Sequence, residues 1–233
     1  MTYYVPILAY HKIGVHKGDH VPTVIPEAFE AHLAFLQRHR FEVWPVARLV
    51  AALAKGQRLP RRVTAITFDD GYEETYTVAW PLLKHFSFPA TVFVATAEVG
   101  LPGFNTWAQL REMAQDNFTI GSHTIHHTYV PRTAREILHR EFFDSKQHIE
   151  REVGRRIDYL SYPVGGFTAE AQQLARDAGY AAAFTTNRAF QRRGVDLYAL
   201  RRVKMTDNDT RALVLWTKLC GYYDVFRRLP APA

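Results

Sequence analysis

Residues 65–71 read Ala65-Ile66-Thr67-Phe68-Asp69-Asp70-Gly71, an apolar run that stops at two adjacent carboxylates and a glycine. Successive side chains of a strand point to opposite faces, so two neighbouring acids cannot both hide in one packed layer. At a strand's end both can reach into a cleft, and the glycine supplies a sharp exit. Adjacent like charges raise each other's cost of ionisation unless a cation or a donor offsets it. The pair therefore points to a metal ligand beside a general base. Two solvated turn acids would read the same way. A second segment, His123-Thr124-Ile125-His126-His127, bears on that choice.

Outward from this strand the chain alternates strand and helix patterns. Short apolar runs at 5–10, 41–44, 63–68, 90–94, 118–121, up to 162, 180–185 and 200–204 read as strands. Helical spacing is read at 26–36, 46–53, 75–85 (despite Pro81), 106–115, 133–153, 169–178 and 210–222. Alternation of this kind predicts parallel βαβ units and a sheet covered on both faces. Periodicity does not decide between a closed barrel and an open sheet. In either architecture ligands gather at the carboxyl ends of the strands. His11, Asp69, Asp70, the His123 cluster and the Pro163-Val164-Gly165 turn all fall at such ends. No repeat, linker or low-complexity tract divides residues 1–233, which read as a single domain.

Composition fits a globular protein, with 47% hydrophobic and 22% charged residues. Lysine and arginine number 29 against 23 acids, a net charge of +6. Arginine pairs at 61–62, 155–156, 192–193 and 227–228 are scattered, so no stripe for specific nucleic-acid binding is expected. Contact with an anionic membrane surface or a lipid diphosphate suits the same charge. The lone Cys220 forms no intrachain disulfide and reads as core filler. Neither a signal-peptide pattern nor an apolar run of ~20 residues is visible, so a cytoplasmic location is expected. The sequence assigns no oligomeric state.

His123 and His127 lie four apart, a spacing that puts both on one side of a helical turn. With a carboxylate from another element they make a two-histidine, one-carboxylate site that leaves positions open for water and substrate. Pairing of His123 with His126 is the geometric competitor.

Thr67-Phe68-Asp69-Asp70-Gly71 followed by His123-Thr124-Ile125-His126-His127 resembles the first two motifs of the polysaccharide deacetylase family. These are the NodB-homology enzymes of carbohydrate esterase family 4. Gly121-Ser122, the helix stop at Gly154, the Tyr162-Pro163-Val164-Gly165 turn and Asp177-Ala178-Gly179-Tyr180 extend the likeness over nearly the whole chain. Ile7-Leu8-Ala9-Tyr10-His11 and the helix from Pro26 to Leu36 resemble the subgroup that includes poly-β-1,6-N-acetylglucosamine deacetylases. The resemblance implies an α/β fold, a distorted (β/α) barrel of about seven parallel strands. It also implies a divalent metal, most often Zn2+ with Co2+ or Ni2+ as alternatives, and an amino-sugar-containing glycan as substrate. Carried over by motif, Asp69 is the general base, while Asp70, His123 and His127 hold the metal. The backbone N–H of Val164 serves the oxyanion. Removal of acetyl groups from N-acetylglucosamine units follows as the expected activity, with another amide or an O-acetyl ester as alternative substrates and an inactive carbohydrate-binding protein as a rival of another class.

The sequence departs from the family pattern in three places. Ser161 stands where many relatives carry an arginine that orients the base, and Arg202, or less readily Arg201, is expected to supply that cation. No histidine follows the C-terminal Leu213-Val214-Leu215-Trp216, so His11 at the front of the chain is assigned as general acid. Val164 replaces a common aromatic. Tyr162, Pro163, Trp107 and Tyr72, with Tyr129 and Phe167, are the candidates for contact with sugar.

Overall fold

The computed structural model describes residues 5–15, 21–187 and 195–220. Its first half comprises β1 (Ile7–Tyr10), β2 (Lys12–Ile13), β3 (Thr23–Val24), α1 (Pro26–Arg38), β4 (Glu42–Val43), α2 (Val46–Ala54), β5 (Val63–Phe68) and α3 (Trp80–Phe86). The second comprises β6 (Ala90–Val94), α4 (Trp107–Gln115), β7 (Phe118–Ser122), α5 (Arg135–Val153), β8 (Tyr159–Ser161), α6 (Ala169–Asp177), β9 (Ala182–Thr185), β10 (Leu200–Arg201), β11 (Val203–Lys204) and α7 (Ala212–Leu219). The arginine pairs at 192–193 and 227–228, and the end of the helix expected to reach 222, lie outside the described residues. Among those residues no helix is long and apolar enough to cross a membrane.

The main sheet runs β10-β9-β8-β7-β6-β5-β1-β11, with β4 attached to the start of β5, and the pairings are parallel. Only Arg202 separates β10 from β11. The first half of this bent strand pairs with β9 and the second with β1, which closes the sheet into a (β/α) barrel. The backbone records the switch: Arg202 N–H donates to Thr185 and Met205 N–H to Ala9. A single strand over 200–204 was expected; the bend makes it two and puts Arg202 at the hinge. The helix expected at 75–85 is likewise broken. A π-helical turn spans Thr75–Ala79, and Pro81, which has no N–H to give, sits in the first turn of α3. Cys220 is exposed where α7 ends, not packed in the core.

Strict alternation sorts the strand residues into two layers. Leu8 and Tyr10 of β1, Ile66 and Phe68 of β5, Val92 of β6, Ile120 of β7 and Leu160 of β8 join the outer core beneath the helices. Ile7, Val63, Ala65, Phe93, Tyr159, Ala182, Phe184 and Leu200 fill a second cluster with α2. The same parity carried to the carboxyl ends gives His11, Asp69, His123, Ser161 and Arg202. The phenyl ring of Phe93 lies 5.3 Å below the Arg202 guanidinium. Gly121 is required beside it, because a Cβ there would stand 2.5 Å from that ring. The apolar filling of the barrel thus ends in a floor on which the polar residues stand.

Candidate active site

Asp69 and Arg202 form a buried, two-pronged ion pair. Arg202 Nη1 donates to Asp69 Oδ1 at 2.7 Å and Nη2 to Oδ2 at 2.6 Å. The same guanidinium donates to Ser161 Oγ at 2.7 Å and Thr67 Oγ1 at 3.1 Å. Burial by itself would raise the Asp69 pKa. The Arg202 charge, with His123, outweighs it and holds the carboxyl well below the usual range. Arg201 remains on β10 and does not reach Asp69. Ser161, at the position where an arginine was missing, contributes a hydroxyl that accepts from the Arg202 guanidinium.

Asp70, His123 and His127 bring one ligand atom each to within 4.8 Å of one another. His123 Nε2 and His127 Nε2 both lie 3.4 Å from Asp70 Oδ1, a buried oxygen with no hydrogen-bond partner. The Nδ1–H of His123 donates to the Ser161 carbonyl at 2.8 Å, so its Nε2 lone pair faces the carboxylate. An acceptor-only oxygen and an imidazole lone pair aimed at one point repel each other unless a cation lies between them. The residues present fit a divalent metal of the kind bound by nitrogen and oxygen donors. Burial would lower the His123 pKa, yet the charges of Asp69 and Asp70, with the contact to Asp70, raise it, so this point between Nε2 and the carboxylate attracts a cation, a proton where no metal is bound.

A helical turn is not what brings the two histidines together. Residues 123–127 form an irregular turn in which Thr124 (φ 70°) and His127 (φ 52°) adopt left-handed conformations. His126 points away from the cluster, its Nδ1 against Glu141 Oε1 at 2.8 Å, which removes it as the competing ligand. Asp70 (φ 71°) and Val164 (φ 59°) share the left-handed conformation. Of the six non-glycine residues with positive φ among those described, four thus fall at the carboxyl ends of β5, β7 and β8, and two of them are β-branched, for which such backbone is strained.

His11 lies above Asp69 and Asp70, close enough to feel both charges, and its buried Nδ1 has no partner. Burial is the largest influence and lowers its pKa, against the pull of the two aspartates. Val164 occupies a one-turn 3-10 segment, Pro163–Gly165, with its side chain exposed. The end of β9 pins this turn: Thr185 Oγ1 donates to the Gly165 carbonyl at 2.5 Å.

The sugar-contact candidates divide. Tyr162 is fully buried, donates its hydroxyl to the Tyr198 carbonyl and stacks on Phe167. Parity explains this, since Tyr162 follows inward-facing Ser161 and so faces the outer core. Pro163 is buried as well, and Trp107 packs at a tilt against His148 of α5, outside the barrel. Tyr72 lies at the mouth, paired with Phe104 at 5.1 Å, and Tyr129 is partly exposed on the loop after β7. Sequence reasoning missed Glu141. It lies on the buried face of α5 with Leu138, Phe142, Ser145 and Ile149, and an acid within an apolar helical stripe is the signal that marks it.

A closed parallel barrel that gathers two aspartates, two imidazoles and a buried arginine at the carboxyl ends of its strands has the donor set of a hydrolase. The profile of the family Polysaccharide deacetylase matches residues 56–183, and the chain belongs to that family, whose members are hydrolases. YxkH of Bacillus subtilis (strain 168), a polysaccharide deacetylase by name, is 31% identical over 201 residues, which span 86% of this chain and 71% of that protein. The poly-β-1,6-N-acetyl-D-glucosamine N-deacetylase of Staphylococcus aureus (strain MSSA476) is 21% identical over 206 residues, 82% of this chain and 71% of its own. Among solved structures, the Streptococcus pyogenes deacetylase PplD, in complex with acetate, superposes with a TM-score of 0.85 at 25% identity, covering 92% of this chain and 97% of that one. IcaB from Ammonifex degensii shares the fold, with a TM-score of 0.80 at 23% identity over 92% of this chain and 97% of that one.

Proposed function

We propose that this protein is a divalent-metal-dependent N-deacetylase of N-acetylglucosamine units in a polysaccharide, an oligosaccharide or a lipid-linked glycan precursor. The observation that carries the reading is the unpartnered Asp70 Oδ1 facing two imidazoles, with the Arg202-held Asp69 beside it. Asp70, His123 and His127 would hold the metal, with zinc the first candidate and cobalt or nickel acceptable to the same donors. When bound, the ion supplies polarisation of the acetamide carbonyl and a more acidic water, which suits a base as weak as Asp69 beside Arg202. Asp69 accepts the proton of the attacking water. Arg202 fixes the carboxylate's orientation and keeps it ionised. The Val164 N–H, presented by its strained turn, donates to the developing oxyanion. His11 gives its proton to the departing amine, and Tyr72 and Tyr129 offer apolar faces to the sugar.

The test is acetate release from N-acetylglucosamine oligomers by metal-stripped protein with Zn2+ or Co2+ restored, beside Asp69→Asn. Metal-dependent release that the substitution abolishes is the expected result. Faster release from an O-acetyl ester would move the substrate, and no release from any acetylated sugar, with metal tightly bound, would refute the deacetylase reading.

A further inference from the structure

The segment that joins the two histidine ligands is held from outside by one carboxylate. Glu141 Oε2 accepts the backbone N–H of Ile125 at 2.7 Å and of His126 at 3.0 Å, and its Oε1 faces His126 Nδ1 at 2.8 Å. Glu141 is 3% exposed and belongs to α5, the next α-helix after the loop it grips. One turn further along the same face, Ser145 Oγ bonds Ser122 Oγ at 2.8 Å, and Ser122 Oγ accepts Thr124 N–H at 3.2 Å. Three consecutive N–H groups, those of Thr124, Ile125 and His126, thus end on side chains tied to α5.

The grip has a physical purpose. Thr124 and His127 flank it in left-handed backbone, and strain of roughly 1–3 kcal/mol per residue persists only where surrounding contacts over-determine the conformation. A relaxed turn of this length would place both residues in ordinary regions and carry the His127 ring away from His123. We infer that Glu141 is a positioning residue for the metal centre: it fixes the backbone of the histidine loop so that His123 and His127 meet on Asp70, and it thereby sets metal affinity. His126 is a subsidiary partner whose ring the clamp also orders. This inference rests on the reading of Asp70, His123 and His127 as ligands.

Three substitutions at Glu141 separate reach from charge, read by titration of metal-stripped protein with Co2+ or Zn2+ and by the visible absorption of bound Co2+. Glu141→Ala removes both acceptors and should weaken metal binding about 10- to 100-fold, the usual cost of losing a residue that orients a ligand. Glu141→Asp keeps the charge but is too short to span both N–H groups, and should weaken binding nearly as much. Glu141→Gln keeps an acceptor for the two N–H groups and should stay within about threefold of the parent, as should His126→Ala. Melting curves of the metal-free proteins confirm that each is folded. If Glu141→Ala will not fold, the contrast between Asp and Gln carries the test. Undiminished binding by the Asp variant, or loss in the Gln variant equal to that in the Asp variant, would overturn the clamp. Absence of metal binding by the parent protein would overturn the metal centre and the clamp with it.

Discussion

Tyr10 and His11 are neighbours on the chain, yet each opens onto a different polar cluster, one on either side of the barrel wall. His11 faces the mouth, with Asp69, Asp70, His123, His127 and Arg202. Tyr10 faces outward beneath α1, where its hydroxyl lies 3.1 Å from His32 Nδ1. Nearby, Lys218 of α7 donates to Asp209 at 2.6 Å and to the Lys204 carbonyl at 2.7 Å, and Asp209 also caps the turn at Thr206. Each cluster holds an acid–cation pair at 2.6 Å with almost no exposure. Burial and ion pairing therefore do not mark the active site. The outer cluster ties α7 to the turn before it: Oδ2 of Asp209 accepts from Lys218 and from both the N–H and the hydroxyl of Thr206, while the His32 ring keeps a buried Nε2 without a hydrogen-bond partner. The mouth cluster stands in strained backbone and keeps an unpartnered carboxylate oxygen. An unpartnered carboxylate oxygen facing two imidazoles at the strand ends, and not an unpartnered polar atom as such, is what distinguishes chemistry from architecture here.

The sharpest way to break this comparison is to neutralise one acid in each cluster. Asp69→Asn should lower kcat by at least about 10^3-fold while the protein stays folded, since both base and anion are lost. Asp209→Asn should leave kcat of the folded protein nearly unchanged and cost about 3–5 kcal/mol of stability, because it leaves Lys218 buried without its counter-charge. Denaturant melts beside acetate release measure both. Both variants leave a buried cation without its counter-charge, so stability should fall in each, and a loss of kcat in folded Asp209→Asn as large as that in Asp69→Asn would erase the distinction.

Arg202→Lys comes next. A lysine keeps the charge but cannot span both Asp69 oxygens, and a misplaced base should lower kcat about 10^2-fold with KM little changed. The outer cluster yields a pH signature instead. Burial lowers the His32 pKa to about 4 from an ordinary 6.5. His32 is therefore neutral in the fold, and protonation favours the unfolded chain. Its contribution to stability is complete above pH 6.5 and is lost as pH falls from there toward 4. That loss amounts to roughly 3 kcal/mol, and His32→Leu should remove this part of the pH dependence of unfolding. The smallest effect is expected at Val164→Gly. If the turn serves through its backbone N–H alone, relief of the left-handed valine should change stability by no more than about 1 kcal/mol and kcat by only a few-fold.

Much of the mouth was legible because strand parity and motif spacing are local properties. Asp69-Asp70-Gly71 ends a strand whose apolar alternation is visible in the sequence, and parity then places Asp69 inward and Phe68 outward. The arginine that meets Asp69 could be narrowed to residues 201 and 202, but choosing between them required the bend that closes the barrel. That bend depends on pairing with β9 on one side and β1 on the other. The histidine spacing singled out the two rings that the structure brings together, but by another geometry, since left-handed Thr124 and His127 do in an irregular turn what a helix would do regularly. Tyr162 packs into the outer core and Trp107 lies against α5, placements the sequence did not give because an aromatic beside a motif carries no sign of which face it lines. Glu141 was visible as an acid in an apolar stripe, although its partners, the N–H groups of 125 and 126, have no letter in a sequence.

The central claim is that the mouth is built around a single divalent ion. A crystal of the metal-stripped protein soaked in Zn2+, with diffraction recorded on both sides of the zinc absorption edge, tests it most directly. The account predicts one anomalous peak in contact with Asp70, His123 and His127, absent in Asp70→Asn. A peak elsewhere, or none beside these three residues at saturating zinc, would contradict it.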